Sequence, residues 1–107
     1  MSEIVITQRD QGGLFDVHRG DVIVFRLEEN LTTGYGWEME AIDGSAVELL
    51  ESAYDEAPGT ALGRGGTRTV RLAARLPGNE EVRLKLRRPW EPPDRALARL
   101  GVTIRVR

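Results

Sequence analysis

Cysteine is absent from the 107 residues, and that absence removes a disulfide framework, a thiolate metal site and a cysteine nucleophile together. Stability must then come from apolar packing and backbone pairing, which hold in either redox compartment. Histidine occurs once, at His18, with no serine or carboxylate pair recognisable beside it, so it reads as a surface turn residue. No nucleophile–base arrangement and no metal-ligand spacing is visible; the chain is not expected to be an enzyme, and no cofactor or metal is expected. An excess of charge of one sign is also missing. Fifteen Lys and Arg stand against 17 Asp and Glu, a formal net charge of -2, which is a poor basis for phosphate-driven binding, and no nucleic-acid partner is expected. Charges interrupt every apolar segment before it reaches membrane-spanning length, so no membrane partner is expected either. The opening residues Met1 to Ile6 carry neither a basic stretch nor a long apolar run, and no signal peptide is visible. As written the chain is expected to be cytoplasmic, and periplasmic or secreted if a leader has been removed.

What the sequence does have is alternation. Ile23, Phe25 and Leu27 fall on one face of Val22–Glu28, and Trp37 and Met39 alternate with Glu38 and Glu40. Val70, Leu72 and Ala74, then Val82, Leu84 and Leu86, then Val102, Ile104 and Val106 repeat the pattern against polar neighbours. A period of two marks strands with one face on a core and the other in water. The length allows one domain, residues 1–107. Several such strands with Gly, Pro and Asn between them predict an all-β protein, an immunoglobulin-like antiparallel β-sandwich of Greek-key type. Val47–Tyr54 reads as a strand or a short helical turn, with its context favouring strand, and Ala96–Leu100 has the character of one helical turn before the last strand. Leu76–Glu80, with Pro77 and Gly78, predicts a tight hairpin between the Val70 and Val82 strands. His18–Asp21 predicts a similarly ordinary turn. The Arg83, Lys85, Arg87 row reads as the solvent face of a strand.

Three connections are not ordinary. Asn30–Gly36 carries two threonines and two glycines, 57–66 is long and glycine-rich, and Arg87–Asp94 holds three prolines and a tryptophan beside arginines. In a two-sheet Greek key, alternate connections emerge at one end, so these three loops are expected to cluster there as three functional loops.

In order, the loops read Asn30-Leu31-Thr32-Thr33-Gly34-Tyr35, Gly63-Arg64-Gly65-Gly66 and Arg88-Pro89-Trp90. This set resembles the chagasin-type inhibitors of cysteine peptidases, in which Asn-Pro-Thr-Thr-Gly-Tyr/Phe, Gly-x-Gly-Gly and Arg-Pro-Trp loops follow one another on an immunoglobulin-like sandwich. The likeness spans nearly the whole chain; Leu31 departs from it, standing where the family usually has proline. The resemblance implies a monomeric, reversible, tight-binding inhibitor of papain-like cysteine proteases that occludes the active-site cleft. On that reading Thr32 and Thr33 form a wedge over the catalytic centre and Gly34 turns its backbone. Gly63, Arg64, Gly65 and Gly66 let a second loop lie against the protease wall. Trp90 is an aromatic anchor aimed by Pro89, and Arg88 stacks or pairs across the interface. Taken singly, the same features are turns between strands, a flexible loop and a loop pinned to its own domain, and Trp37 is core packing. The competing function is a non-inhibitory immunoglobulin-like module that binds a protein or a glycan through the same edge.

Overall fold

The computed structural model describes residues 2–40, 42, 44–56 and 65–107. Among the described residues eight strands, β1 (Glu3–Ile6), β2 (Leu14–Val17), β3 (Val22–Glu29), β4 (Gly36–Met39), β5 (Val47–Glu56), β6 (Gly66–Ala74), β7 (Gly78–Arg87) and β8 (Ala98–Val106), form two four-stranded sheets. One has the order β1-β3-β6-β5 and the other β2-β8-β7-β4. The alternating residues explain why they stack. Ile23, Phe25 and Leu27 from β3 and Val70, Leu72 and Ala74 from β6 bury one inner face. Trp37, Val82, Leu84, Leu100, Val102, Ile104 and Val106 bury the other, and Ile6 and Val17 extend the same cluster. The two inner faces thus form one core between the sheets, as a sandwich requires.

The pairing is mixed at the edges. β1 runs parallel to β3 and β2 parallel to β8, while the remaining pairs are antiparallel. Parallel pairing between β1 and β3 is possible because the intervening β2 belongs to the opposite sheet, which supplies the crossover that a parallel pair needs. Two connections expected to be plain turns are sheet-to-sheet corners for the same reason. Leu76-Pro77-Gly78 does not close a hairpin, since β6 and β7 lie in different sheets. Its backbone is instead held by Arg75 and Leu76 donating to the Ala46 carbonyl at 2.7 and 3.3 Å. At the other corner the Asp21 carboxylate accepts the His18 and Ser2 amides, each at 2.9 Å. Those two bonds, His18's foremost, hold its carboxyl below the usual carboxylate range.

Val47–Glu56 is a strand as expected, with a bulge at Leu50 between Leu49 and Glu51. The helical turn expected over Ala96–Leu100 is not there. A 3-10 turn occupies Pro93–Arg95, and Ala98 at the start of β8 already pairs with Leu86 of β7; strand pairing and the burial of Leu100 in the core, with Ala98 packed partly against it, outweigh the weak local helical preference. Lys85 and Arg87 are less exposed than a plain solvent face implies, because both reach Glu38, at 3.7 and 2.6 Å. Among the described residues no helix is long and apolar enough to cross a membrane.

Trp37 is the largest inner-face side chain of the short strand β4. It is 6% exposed, and its indole N–H donates to the Glu28 carbonyl at 2.9 Å. Trp37→Ala should cost about 3–5 kcal/mol, read from the denaturant midpoint at unchanged slope.

Candidate functional site

The register places the unusual loops at one end. Glu29, the end of β3, and Glu56, the end of β5, both pair with Gly66 at the start of β6. In the other sheet Gly36 at the start of β4 pairs with Arg87 at the end of β7. The connections after β3, β5 and β7 therefore leave from the same edge of the sandwich.

The first loop is a locked 3-10 turn. Asn30 caps Leu31–Thr33, its side-chain oxygen accepting the Thr32 amide at 3.0 Å and the Thr32 hydroxyl at 2.6 Å. The Thr33 hydroxyl donates to the Asn30 carbonyl at 2.7 Å and accepts the Tyr35 amide at 3.2 Å. Gly34 closes the turn in the left-handed region at φ 82 and donates to the Leu31 carbonyl at 3.1 Å. Leu31, Thr32 and Thr33 remain exposed at its tip. Both threonine hydroxyl protons are thus spent inside the loop, leaving methyl groups and backbone for a partner.

The third loop folds back onto the first. Arg88 donates through Nε to the Thr33 carbonyl at 3.0 Å, and its guanidinium lies 4.3 Å from the centre of the Tyr35 ring. The arginine expected to reach across an interface is therefore engaged within its own molecule. Trp90 is 72% exposed, and its ring covers Gly34 closely enough that a Cβ there would lie 3.1 Å from Cζ2 and nearer still to Cη2. Gly34 accordingly does two jobs, supplying a positive φ and leaving room for the indole. A reverse turn with Glu91 donating to the Arg88 carbonyl at 3.0 Å sets the direction of Pro89 and Trp90.

Of the second loop, Gly63 and Arg64 lie outside the described residues. Gly65 runs beside β3, where an added Cβ would stand 3.4 Å from the Glu29 carbonyl. Gly66 is required by the fold itself: a Cβ there would run into the Asp55 carbonyl and come within 2.7 Å of the Tyr54 hydroxyl. Between the roots of the first and second loops is an open cavity of about 430 Å³, bordered by Glu28, Asn30 and Gly65 among others.

One feature under the loops was not singled out from the sequence. Glu29 is buried and ion-paired with Arg68 at 2.8 Å, and it also accepts the Trp37 amide at 2.6 Å. The signal was present in the alternation, because Glu29 continues the inward row Ile23, Phe25, Leu27, and Arg68 precedes Val70 and Leu72 on the same side.

A disulfide-free sandwich that braces its first and third loops against each other at one end defines a loop-borne binding protein, with Trp90 and the Leu31–Thr33 tip as its exposed surface. The family follows from comparison: residues 16–104 match the Chagasin family peptidase inhibitor I42, and the chain belongs to that family. It is a family of inhibitors, not of enzymes. Chagasin from Trypanosoma cruzi is 26% identical over 104 residues, covering 94% of each chain. Amoebiasin-1 from Entamoeba histolytica is 28% identical over 87 residues, 81% of this chain and 84% of that one. Among solved structures, the cysteine protease inhibitor EhICP2 from Entamoeba histolytica superposes with a TM-score of 0.88 at 22% identity, covering 99% of this chain and 96% of that one. PbICP-C, solved in complex with falcipain-2, superposes at 0.64 with 18% identity over 98% and 89% of the two chains.

Gly34→Ala puts a side chain into the left-handed region, at about 1–2 kcal/mol, and pushes the indole off the first loop. A lowered melting temperature together with a change in tryptophan fluorescence is the expected result; an unaltered emission spectrum would show that Trp90 does not rest there.

Proposed function

We propose that this chain is a reversible, tight-binding inhibitor of papain-like cysteine proteases, acting as a single copy that fills the active-site cleft with its three loops. The observation that carries the proposal is the joining of the first and third loops: Arg88 bonded to Thr33 and Trp90 laid over Gly34 make one projecting ridge. Membership of the peptidase inhibitor family supports it, and so does the likeness in fold to a protein solved on falcipain-2.

A papain-like enzyme holds its thiolate–imidazolium pair at the bottom of a cleft between two lobes. The exposed tip Leu31-Thr32-Thr33 is narrow, and its backbone is coiled into a 3-10 turn instead of the extended strand that a protease cleaves. The tip thus fills the slot without presenting a carbonyl in the geometry of attack. Gly65 gives the second loop a backbone free of side chain for the wall of the cleft, while Trp90 and Pro89 supply a rigid apolar flank. The arrangement restricts motion before binding, which lowers the entropy lost on docking.

Stoichiometric titration of papain tests the proposal. Activity should fall linearly to near zero at equimolar inhibitor, and the inhibitor should remain uncleaved on long incubation. Undiminished activity in excess inhibitor would favour a non-inhibitory binding module, and cleavage within Leu31–Tyr35 with recovery of activity would mark a substrate. Trp90→Ala should weaken inhibition by about 2 kcal/mol, or about 30-fold, with little change in melting temperature because the ring is exposed.

Leu31 opens the 3-10 turn, and no non-glycine residue among those described has a positive φ, so proline fits the first position of the turn. Leu31→Pro should leave stability equal or higher and slow dissociation from papain. Surface plasmon resonance reads this directly, and faster dissociation with an intact fold would refute it.

A further inference from the structure

Glu29 ends β3 and Arg68 is the third residue of β6; both point into the sandwich at its loop end. The Glu29 side chain is 0% exposed and that of Arg68 20%. Their contact is two-armed, with Arg68 Nη2 donating to Oε2 at 2.8 Å and Nε lying 3.2 and 3.3 Å from the two carboxylate oxygens. Oε1 also accepts the amide of Trp37, which belongs to the opposite sheet, at 2.6 Å. On its other side Arg68 donates to the Ser52 hydroxyl at 3.3 Å and lies 5.7 Å from the centre of the Tyr54 ring. The Tyr54 hydroxyl donates back to the Glu29 carbonyl at 3.3 Å. One polar assembly thus draws a group from each of β3, β4, β5 and β6. Each of those strands enters or leaves the first or the second loop: Asn30 follows Glu29 directly, and Gly65 and Gly66 come just before Arg68.

We propose that Glu29 and Arg68 are positioning residues of the inhibitor. They fix the first loop relative to the second, and so set how well the pair of loops seats in a protease cleft, an inference that rests on the cleft-filling function proposed above. Stability alone does not call for such a pair, because buried ion pairs can often be replaced by apolar groups of similar volume at no loss. What an apolar pair does not supply is direction. A two-armed guanidinium–carboxylate contact, with a third bond to Trp37, leaves little angular freedom at the point where β3 becomes the wedge. Neither side chain lies at the exposed tip, so their effect on binding is indirect.

The test is the double variant Glu29→Gln/Arg68→Met. Glutamine keeps an acceptor for the Trp37 amide and methionine fills the volume of the arginine stem, while the two-armed contact is lost. The melting temperature should stay close to wild type, the ¹⁵N order parameters of Thr32–Tyr35 and Gly65 should fall from about 0.85 towards about 0.6, and the papain inhibition constant should rise at least about 10-fold, equal to about 1.4 kcal/mol. Arg68→Lys, which keeps the charge but not the second arm, should lie between the two. Unchanged loop order parameters, whether or not the melting temperature drops, would overturn the proposal and leave the pair a feature of the fold. So would softened loops with undiminished inhibition. If the wild-type chain leaves papain fully active, the cleft-filling function fails, and the order parameters still decide whether the pair positions the loops.

Discussion

The core of this sandwich has to be closed at the end where the loops emerge, and Glu29 closes it. Its carboxylate is wholly buried, an arrangement whose desolvation is tolerable only if the charge is neutralised and its oxygens are hydrogen-bonded. Arg68 from the same sheet and the Trp37 amide from the other meet that requirement. Much of the loop end follows from it. The short strand β4 is held against β3 at its first turn, Trp37 can enter the core with its indole N–H on the Glu28 carbonyl, and Tyr54 can cross over Gly66 to the Glu29 backbone. The functional edge is thereby anchored by polar contacts in a region where small loop residues offer little apolar area.

Above that floor the loops are braced against one another by a consistent economy of polar groups. Asn30 uses its side-chain oxygen on Thr32, Thr33 uses its hydroxyl on Asn30 and Tyr35, and Arg88 uses Nε on Thr33. Each bond is worth only about 1 kcal/mol net, but together they remove conformations that the loop would otherwise lose on binding. A loop shaped in advance loses less entropy on docking than one that must be ordered. In this chain the bracing acts beside Leu31, and the Arg88–Tyr35 stack holds the third loop to the first.

Much of this architecture was readable from the residues because period-two alternation is a direct imprint of a two-faced strand. Ile23, Phe25 and Leu27 declare an inner face whatever their partners are. Which strand pairs with which is not a local property, and the corners show it. Pro77-Gly78 has the chemistry of a hairpin turn, yet the chain uses it to change sheets, because β6 is already flanked by β3 and β5. Likewise Ala98 and Leu100 enter β8 by virtue of β7 beside them, against a weak helical preference. The loop motifs were legible in sequence as a set, and the register gathers their described parts at one end. The inward direction of Arg88 was not, since a guanidinium beside prolines gives no hint that a carbonyl two loops away will accept its proton. Nor was the pairing of Glu29 with Arg68, although alternation alone aims both inwards; only the antiparallel register of β3 on β6 brings them together.

The inward use of polar groups also constrains the kind of recognition that the exposed surface can perform. With the threonine hydroxyl protons and the Arg88 Nε proton already committed, the loop tip offers a partner mainly backbone, methyl groups, the Leu31 side chain and the Trp90 ring. Such a surface reads shape and apolar depth more than a pattern of donors and acceptors. On the proposed function this suits an inhibitor whose target site is a narrow cleft between two lobes, where fit depends on shape more than on a set of donors and acceptors.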